Sequence, residues 1–236
     1  MALPKVARIT HEMVIPSTGK KVKFRPFLVK EEKVLILAQE SGNQSEMARA
    51  IKEVIEACVL TKGFSIDSLA TFDLEYAFLN IRGKSVGEEV EVIITCPDDE
   101  KTTVPVTIFL GDIKVIKDDS HTKQIKLDDV LSLQMKYPTI EMVMESKVDN
   151  VGIEESLGLI CDCIDVIYSE EDSWSGSDST REELMAWIEE LEPKQFQEIE
   201  SFFSTMPKLS HTINVTNPVT GVESPILLEG LGSFFA

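Results

Sequence analysis

The sequence predicts an α+β fold in which β-hairpins pack with helices. Three segments alternate apolar and polar residues on both sides of a turn that contains Pro or Gly, which is the pattern of a β-hairpin. Other segments repeat apolar residues three or four positions apart, the spacing of a helix with one buried face. The 236 residues are 43% hydrophobic, enough for a real core, so a globular protein is expected.

The first hairpin is predicted from strand candidates at 12–16 and 21–27. Gly19 supplies the turn between them. Val22 and Phe24 alternate with basic residues, so one face is expected to be apolar and the other basic. The basic residues of this hairpin are Lys20, Lys21, Lys23 and Arg25.

Three helices should follow this hairpin. The first is rich in good helix formers and should end near Gly42. The second places Cys58 on its apolar stripe, which makes that thiol a small buried hydrophobe. The third repeats the apolar spacing and should be capped by Gly83.

The period changes from helical to alternating at Gly87. Residues 88–96 and 102–110 predict a second hairpin around "PDDEK". Another short strand is expected at "KQIKL", and a helix should begin near Thr139, just after Pro138.

The chain after Asn150 is predicted to be mainly helical. Apolar residues at helical spacing predict one helix through most of residues 150–172, and a polar loop is expected at 170–179. A capping box of Ser179 and Glu182 should open the next helix, and Pro193 should begin another. A third hairpin surrounds "NPVTG". We therefore predict a mixed α/β part over 1–147 and a mainly helical part over 148–236 that closes with a hairpin.

The charge distribution limits the possible partners. The formal net charge is −18, so nucleic acid is not an expected partner. Residues 149–200 hold 16 Asp or Glu and two Lys or Arg, whereas residues 1–40 hold eight Lys or Arg and four Glu. These ends could meet complementary partners, or the acidic run could be a solvated surface that aids solubility.

Membrane and secreted classes are also disfavoured. No stretch approaches the 18 uninterrupted apolar residues that a membrane span needs, and no secretory signal is expected. Four cysteines in a chain of this length do not form a disulfide scaffold, so a reducing cytoplasm is the simpler setting.

The second and third hairpins have the outline of zinc knuckles without the ligands. Cys96 precedes Pro97 and Asn217 precedes Pro218, but no second thiolate follows either of them, and Thr220 stands where one would belong. We expect no metal site. The turns are either knuckles kept for their shape after a metal was lost or Pro-bounded turns that look alike. The C-x-C pair at Cys161 and Cys163 is expected to serve core packing, since on a helix the two thiols would diverge.

Catalytic motifs are not found. His11, His121 and His211 have no obvious partner, and "RGKS" lacks the first glycine of a phosphate-binding loop, because Phe78 stands at that position. We expect no enzyme, no cofactor and no small-molecule substrate.

Three stretches resemble a known family. "IPSTGKKVKFRPFLVKEEKVLILAQES", "MKYP" and the closing "LEGLGSFF" are similar to the baseplate hub assembly family of T-even-like contractile-tailed bacteriophages. The resemblance implies a hub subunit or hub assembly catalyst, where "catalyst" means an assembly factor. It implies other hub proteins as partners, and a location in the host cytoplasm during assembly or in the tail baseplate of the virion. Relatives often carry C-P-x-C knuckles, from which this chain departs.

Two contact surfaces are expected, the basic hairpin and the apolar C-terminal tail. Either could instead fold back onto the protein's own core. The expected partner-binding residues are Lys20, Lys21, Lys23, Arg25, Leu231, Phe234 and Phe235. The alternative functions are a transient assembly chaperone that is absent from the mature virion and, from another class, a metal- or nucleotide-dependent enzyme.

Overall fold

A computed structural model describes residues 7–145 and 152–235. It confirms the α+β class, with helices and small antiparallel sheets. The chain forms two compact units: unit 1 combines Met1–Ile66, Phe72–Ile116 and Lys208–Ala236, and unit 2 combines Asp67–Thr71 and Lys117–Pro207. The segments of the two units alternate along the sequence. The division into parts 1–147 and 148–236 stays a prediction. No helix among the described residues is both long and apolar enough to cross a membrane.

Unit 1 contains three hairpins and three long helices, and all three hairpins were predicted. Its elements are β1 (His11–Val14), β2 (Lys21–Phe24), α1 (Val29–Ser41), α2 (Gln44–Cys58), α3 (Thr71–Val86, whose first residue belongs to unit 2), β3 (Glu89–Thr95), β4 (Thr103–Phe109), a 3-10 turn (Leu110–Asp112), β5 (Lys114–Ile116), β10 (Lys208–Thr216), β11 (Glu223–Glu229) and α8 (Gly232–Phe235). Strand β10 pairs with β11 on one side and with β5 on the other, all antiparallel.

Of the two glycines predicted to end helices in unit 1, one does so and the other does not. Gly42 follows α1 with φ 65°, in the left-handed conformation of a helix C-cap, as predicted. Gly83 does not end α3, which continues to Val86. Gly83 is buried, and a Cβ at this position would lie 3.5 Å from the Leu110 side chain. Its small size serves close packing there, and Gly87, with φ 123°, follows the helix instead.

Unit 2 consists of a four-stranded antiparallel sheet with helices, in the strand order β6-β7-β8-β9. Its elements are β6 (Gln124–Lys126), β7 (Ser132–Met135), α4 (Ile140–Glu145), α5 (Ile153–Asp162), β8 (Ile164–Tyr168), β9 (Ser173–Ser175), a 3-10 turn (Gly176–Asp178), α6 (Arg181–Glu189) and α7 (Pro193–Thr205). Its core includes Leu133, Met135, Cys161, Cys163, Ile164, Leu184, Ile188, Ile199 and Phe202.

The prediction of one helix through residues 150–172 was wrong in its second half. Helix α5 ends at Asp162, and Ile164–Tyr168 is strand β8, which pairs with β7 and β9. Its β-branched residues suit a central strand, and the sheet supplies the hydrogen bonds that a longer helix would have made. Cys163 lies at the junction and is as fully buried as Cys161, so both thiols serve the core.

The segment after β8 also differs from the prediction in detail. The expected polar loop contains strand β9 and the following 3-10 turn. The capping box of α6 uses Thr180 and Glu183, one position later than predicted. Both pairs fit the S/T-x-x-E pattern, so the sequence could not choose between them. Pro193 begins α7, as predicted.

Candidate protein-contact surface in unit 1

The first hairpin has the two faces that the sequence predicts. In β2, Val22 and Phe24 are buried. Lys20, Lys21 and Lys23 are exposed along the other face and the turn. Lys23 Nζ lies 3.6 Å from the Glu12 carboxylate, and both side chains are well exposed. Such an exposed ion pair leaves the lysine free to contact another protein.

Arg25, expected on the basic face, instead points into unit 1. It is 6% exposed, and its guanidinium donates hydrogen bonds of 2.9 Å to the Glu31 carboxylate and to the backbone carbonyls of Pro26 and Ala57. Strand β2 ends at Phe24, one residue before Arg25. The alternation of buried and exposed side chains that would have placed Arg25 on the surface therefore does not reach it. Arg25 therefore joins the hairpin to α1 and α2.

Glu31 completes this buried ion pair. Burial alone would raise the pKa of Glu31, but hydrogen bonds from Arg25, from the Leu28 backbone N–H and from Lys30 lower it to about 2. The carboxylate is thus ionised at neutral pH. It also caps α1, because its Oε2 accepts the Leu28 N–H at 2.7 Å.

Three hairpin turns in unit 1 share one backbone form. Their sequences are "IPSTG", "CPDDE" and "NPVTG", beginning at Ile15, Cys96 and Asn217. In each, the N–H of the fifth residue donates to the carbonyl of the first, at 2.8 to 2.9 Å, and the fifth residue has a positive φ. The likeness of the second and third turns was predicted from the sequence; that of the first was not, although Pro16 and Gly19 indicate it.

The second and third turns contact one another through Asp98. Its carboxylate oxygens each lie 3.0 Å from the Asn217 amide nitrogen, and Thr220 Oγ1 donates to one of them at 2.5 Å. The hydrogen bonds from Thr220 and Asn217 lower the pKa of Asp98. Asn217 is 1% exposed, so its amide depends on this partner.

The donor set at the paired turns does not fit zinc. In a zinc ribbon, the first and fourth residues of each turn would bind the metal. Here these residues are Cys96, Asp99, Asn217 and Thr220, which offer one thiol, one carboxylate, one carboxamide and one hydroxyl. Asp99 already accepts hydrogen bonds from the Lys101 and Thr102 N–H groups and from the Thr102 hydroxyl. Hydrogen bonds thus link the two turns where a zinc ribbon would use its metal.

The apolar tail packs against unit 1. Phe234 is fully buried and Leu231 is 9% exposed, with α8 beside β3 and β11. The Leu231 N–H lies 3.5 Å from a Glu75 carboxylate oxygen. Burial raises the pKa of Glu75, and this N–H lowers it in part. The side chain of Phe235 lies outside the described part of the structure. The tail was expected either to contact a partner or to fold back onto the protein's own core. Leu231 and Phe234 follow the second alternative.

Helix α3 anchors both predicted contact segments. Asp73, which is fully buried, accepts the Ser17 backbone N–H at 3.0 Å and also pairs with the Ser17 hydroxyl in the first turn. Glu75, two residues later, lies beside the tail. The lysines stay exposed, whereas Arg25, Leu231 and Phe234 are buried in unit 1. Among the predicted side chains that the structure describes, the exposed ones are therefore Lys20, Lys21 and Lys23.

The chain was also compared with known proteins. A family model described as T4 bacteriophage base plate protein matches residues 6–236. Neither the search of curated proteins nor the search of solved structures found a match. The family model covers nearly the whole chain, both units included. The chain therefore belongs to the T4 bacteriophage base plate protein family.

Proposed function

We propose that this baseplate protein is a component or assembly factor of the baseplate hub, and that it acts through protein–protein contacts without bond chemistry. The family match over residues 6–236 is the observation that carries the proposal, since membership implies contacts with other phage baseplate proteins. The chain would meet its partners in the host cytoplasm during assembly.

The cysteines support a non-enzymatic role. Burial raises the pKa of Cys58 and of Cys161 to about 11, and that of Cys163 to about 12. Burial, followed by the nearby Asp98 and Asp99, also raises the pKa of Cys96. A thiol must ionise to attack or to bind a metal, so these four side chains are poor nucleophiles at neutral pH.

His121 is likewise used in packing. Its ring nitrogens lie 3.0 Å from Thr205 Oγ1 and 3.0 Å from Tyr137 Oη, and the ring is stacked with Tyr137 and tilted against Phe202. Burial, and then the charges of Lys117 and Lys123, lower the pKa of His121. A neutral imidazole with both nitrogens engaged is suited to a structural role in unit 2.

The exposed lysines of the first hairpin are the surface that we propose for partner binding. Lys20, Lys21 and Lys23 changed together to Glu should weaken co-purification with baseplate proteins of the same phage. The matched control changes Lys62, Lys101 and Lys114 to Glu, which alters the charge equally at three other exposed positions of unit 1. Equal co-purification of both variants and the wild type would contradict the role of the hairpin.

Phage that lack the chain provide the test of the function itself. Supplying the wild-type chain should restore complete baseplates, seen by electron microscopy. Baseplates that form normally without it would contradict the proposal. The second candidate function, a chaperone that leaves before maturation, is separated by mass spectrometry of purified particles. Presence in the virion supports a hub component, and absence supports the chaperone.

A further inference from the structure

Unit 2 carries a groove that contains both tryptophans of the chain. Trp174 lies on β9 and Trp187 on α6, and the groove between them has a volume of about 340 Å³. We call it the two-tryptophan groove. Its other lining residues are Leu131, Ile167, Ser179, Glu183 and Leu184. We call its aliphatic residues, Leu131, Ile167 and Leu184, the floor; the two indole rings and the Glu183 carboxylate complete the lining.

Trp174 is unusually exposed for its size. It is 48% exposed, and Val130, which precedes the lining residue Leu131 in the chain, is 65% exposed. Trp187 and the aliphatic floor are buried or half-buried, so one wall of the groove is anchored in the core of unit 2 and the other faces solvent. Tryptophan is among the residues most enriched where binding energy concentrates, and an exposed ring beside an apolar pocket is typical of a contact site.

The segment that supplies six of the seven lining residues is strongly acidic. Residues 164–191, which include β8, β9 and α6, carry a single base, Arg181, and its guanidinium is bonded to Asp162 at 2.6 Å. Glu183 is kept ionised, because hydrogen bonds from the Thr180 backbone and hydroxyl lower its pKa. The acids of residues 164–191 are Asp165, Glu170, Glu171, Asp172, Asp178, Glu182, Glu183, Glu189 and Glu190. All nine are exposed to solvent.

We propose that the two-tryptophan groove binds an Arg or Lys side chain, with a flanking apolar residue, from a segment of another baseplate protein. A cation over an indole face is attracted by the ring, and its methylene stem can pack on the aliphatic floor. Arg suits the site better than Lys, because the guanidinium stacks on rings and is less strongly hydrated. This partner chemistry rests on the proposed function, which supplies the neighbouring proteins.

The charges favour a basic segment over a purely apolar one. An apolar segment would fill the groove but would gain nothing from Glu183 or from the exposed acids of the segment that forms the groove. A basic side chain gains from both the rings and the acidic surface. The exposed lysines of the first hairpin could bind the two-tryptophan groove of a second copy of this chain. The experiment includes that outcome.

The test uses an array of overlapping short peptides that covers the phage's other baseplate proteins. The full-length chain is the probe, alongside Trp174→Ala, Glu183→Gln and Ile93→Ala. Ile93 is a matched control, since it is 74% exposed but lies in unit 1. Gln at position 183 can keep the capping box while removing the charge, so Glu183→Gln should stay folded.

The bound peptides should carry Arg or Lys beside an apolar residue, and added salt should weaken binding. We expect Trp174→Ala to lose about tenfold in affinity, the loss of one desolvated cation–π contact. Glu183→Gln should lose less, and Ile93→Ala should bind as the wild type does. The proposal is overturned if no peptide binds, if bound peptides lack a base, or if Trp174→Ala binds unchanged. Self-association that Trp174→Ala abolishes would also overturn it in favour of a second copy.

Tryptophan fluorescence gives an independent readout. Because both tryptophans of the chain line the groove, a change in their emission when a peptide is added to the folded chain reports binding at or near this site. The best peptide should shift the emission, and the same peptide with Arg or Lys replaced by Gln should not; equal shifts would contradict the proposal. Phage complementation separates this outcome from the function. If the wild type restores baseplates but no peptide binds, only the groove is wrong, whereas failure to restore them removes the proposed function.

Discussion

Of the six buried polar or charged side chains among the described residues, five lie in unit 1 and one lies in unit 2. The five are Arg25, Glu31, Asp73, Ser210 and Asn217, and the one in unit 2 is His121. Apart from His121, the core of unit 2 is a continuous cluster of apolar side chains. The two halves of the molecule are thus stabilised by different kinds of contact.

This difference indicates which kind of contact specifies the fold of each unit. In unit 1, Asp73 holds the first turn 56 positions earlier, and Asp98 holds the third turn 119 positions later. A buried polar group tolerates few alternative partners, so these contacts specify which segments meet. In unit 2, shape and volume decide the packing, and a buried side chain can be exchanged for another of similar size at less cost.

The largest effect should come from Arg25→Met in unit 1. Removing the cation leaves the Glu31 carboxylate buried without its main partner, which should cost about 3–5 kcal/mol of the free energy of unfolding. Urea unfolding followed by circular dichroism measures it. Glu12→Gln, which breaks the exposed pair with Lys23, is the control and should cost less than about 1 kcal/mol. Similar losses in both variants would mean that the buried pair is not special.

Leu133→Ala should have the next largest effect, in unit 2. Leu133 is fully buried on β7, and the cavity left by the truncation should cost about 3 kcal/mol. Both tryptophans lie in unit 2, so their fluorescence during urea unfolding reports this unit. Val130→Ala, at an exposed position, is the control and should change little. A loss for Leu133→Ala no greater than this control would contradict an apolar core in unit 2.

Asp98→Ala should have a moderate effect on unit 1. It removes the acceptor of the buried Asn217 amide and of the Thr220 hydroxyl, at a cost of about 1–3 kcal/mol. Asp119→Ala, at an exposed position, should be neutral. A double-mutant cycle with Thr220→Val isolates the contact between the turns. Additive losses would show that Asp98 and Thr220 act separately.

The two units should also respond to acid at different pH values. The pKa of His121 lies below its usual 6.5, so the unfolded chain binds this proton first, and unit 2 should lose stability as the pH falls below about 6.5. Lys117 and Lys123 oppose protonation, and Asp118 favours it. The pKa of Glu31 is about 2 against a usual 4.5, so unit 1 should lose the contribution of Glu31 only between those values.

Urea unfolding at stepped pH checks the order of these losses. Tryptophan fluorescence follows unit 2, and circular dichroism follows both units. His121→Gln should flatten the fluorescence-detected dependence just below pH 6.5, because it removes the titrating group. An unchanged dependence in this variant would assign the loss to other groups.

Glu100→Gly should have the smallest effect, a gain of up to about 1 kcal/mol. Glu100 has φ 55°, in the left-handed region that favours glycine. The matched change is Gly221→Ala at the equivalent place in the third turn, where a Cβ meets nothing within 4 Å. It should cost about 1 kcal/mol, from the backbone alone. Thermal unfolding of both variants checks the signs, and a loss for Glu100→Gly would show that the Glu side chain stabilises the turn.

Much of the fold could be predicted because it depends on local patterns. The three hairpins and the first turns of α6 and α7 follow from alternation, turn residues and capping signals within a few positions. The failures came where a distant segment decided the outcome. Ile164 and Ile167 fit a helical stripe, but pairing with β7 and β9 makes them part of a strand. Gly83 resembled a cap, but it is the place where Leu110 packs closely.

The contact surfaces show the same limit. The exposed lysines at 20, 21 and 23 were predictable from strand alternation, whereas the burial of Arg25 depends on Glu31 and on the end of α2. The two-tryptophan groove was missed, because Trp174 and Trp187 belong to separate elements that meet only in the folded unit. Its signal in the sequence was a tryptophan between two serines in an acidic segment.

By itself the sequence determined the α+β class, the hairpins, the uneven charge and the resemblance to a phage baseplate family, which the family match supports. Only the tertiary structure decided that Asp98 joins two turns, that Phe234 is buried and that two tryptophans share a groove. The reason is physical. Hairpins, caps and charge depend on neighbours along the chain, whereas burial and hydrogen-bond partners depend on segments that may be a hundred residues apart.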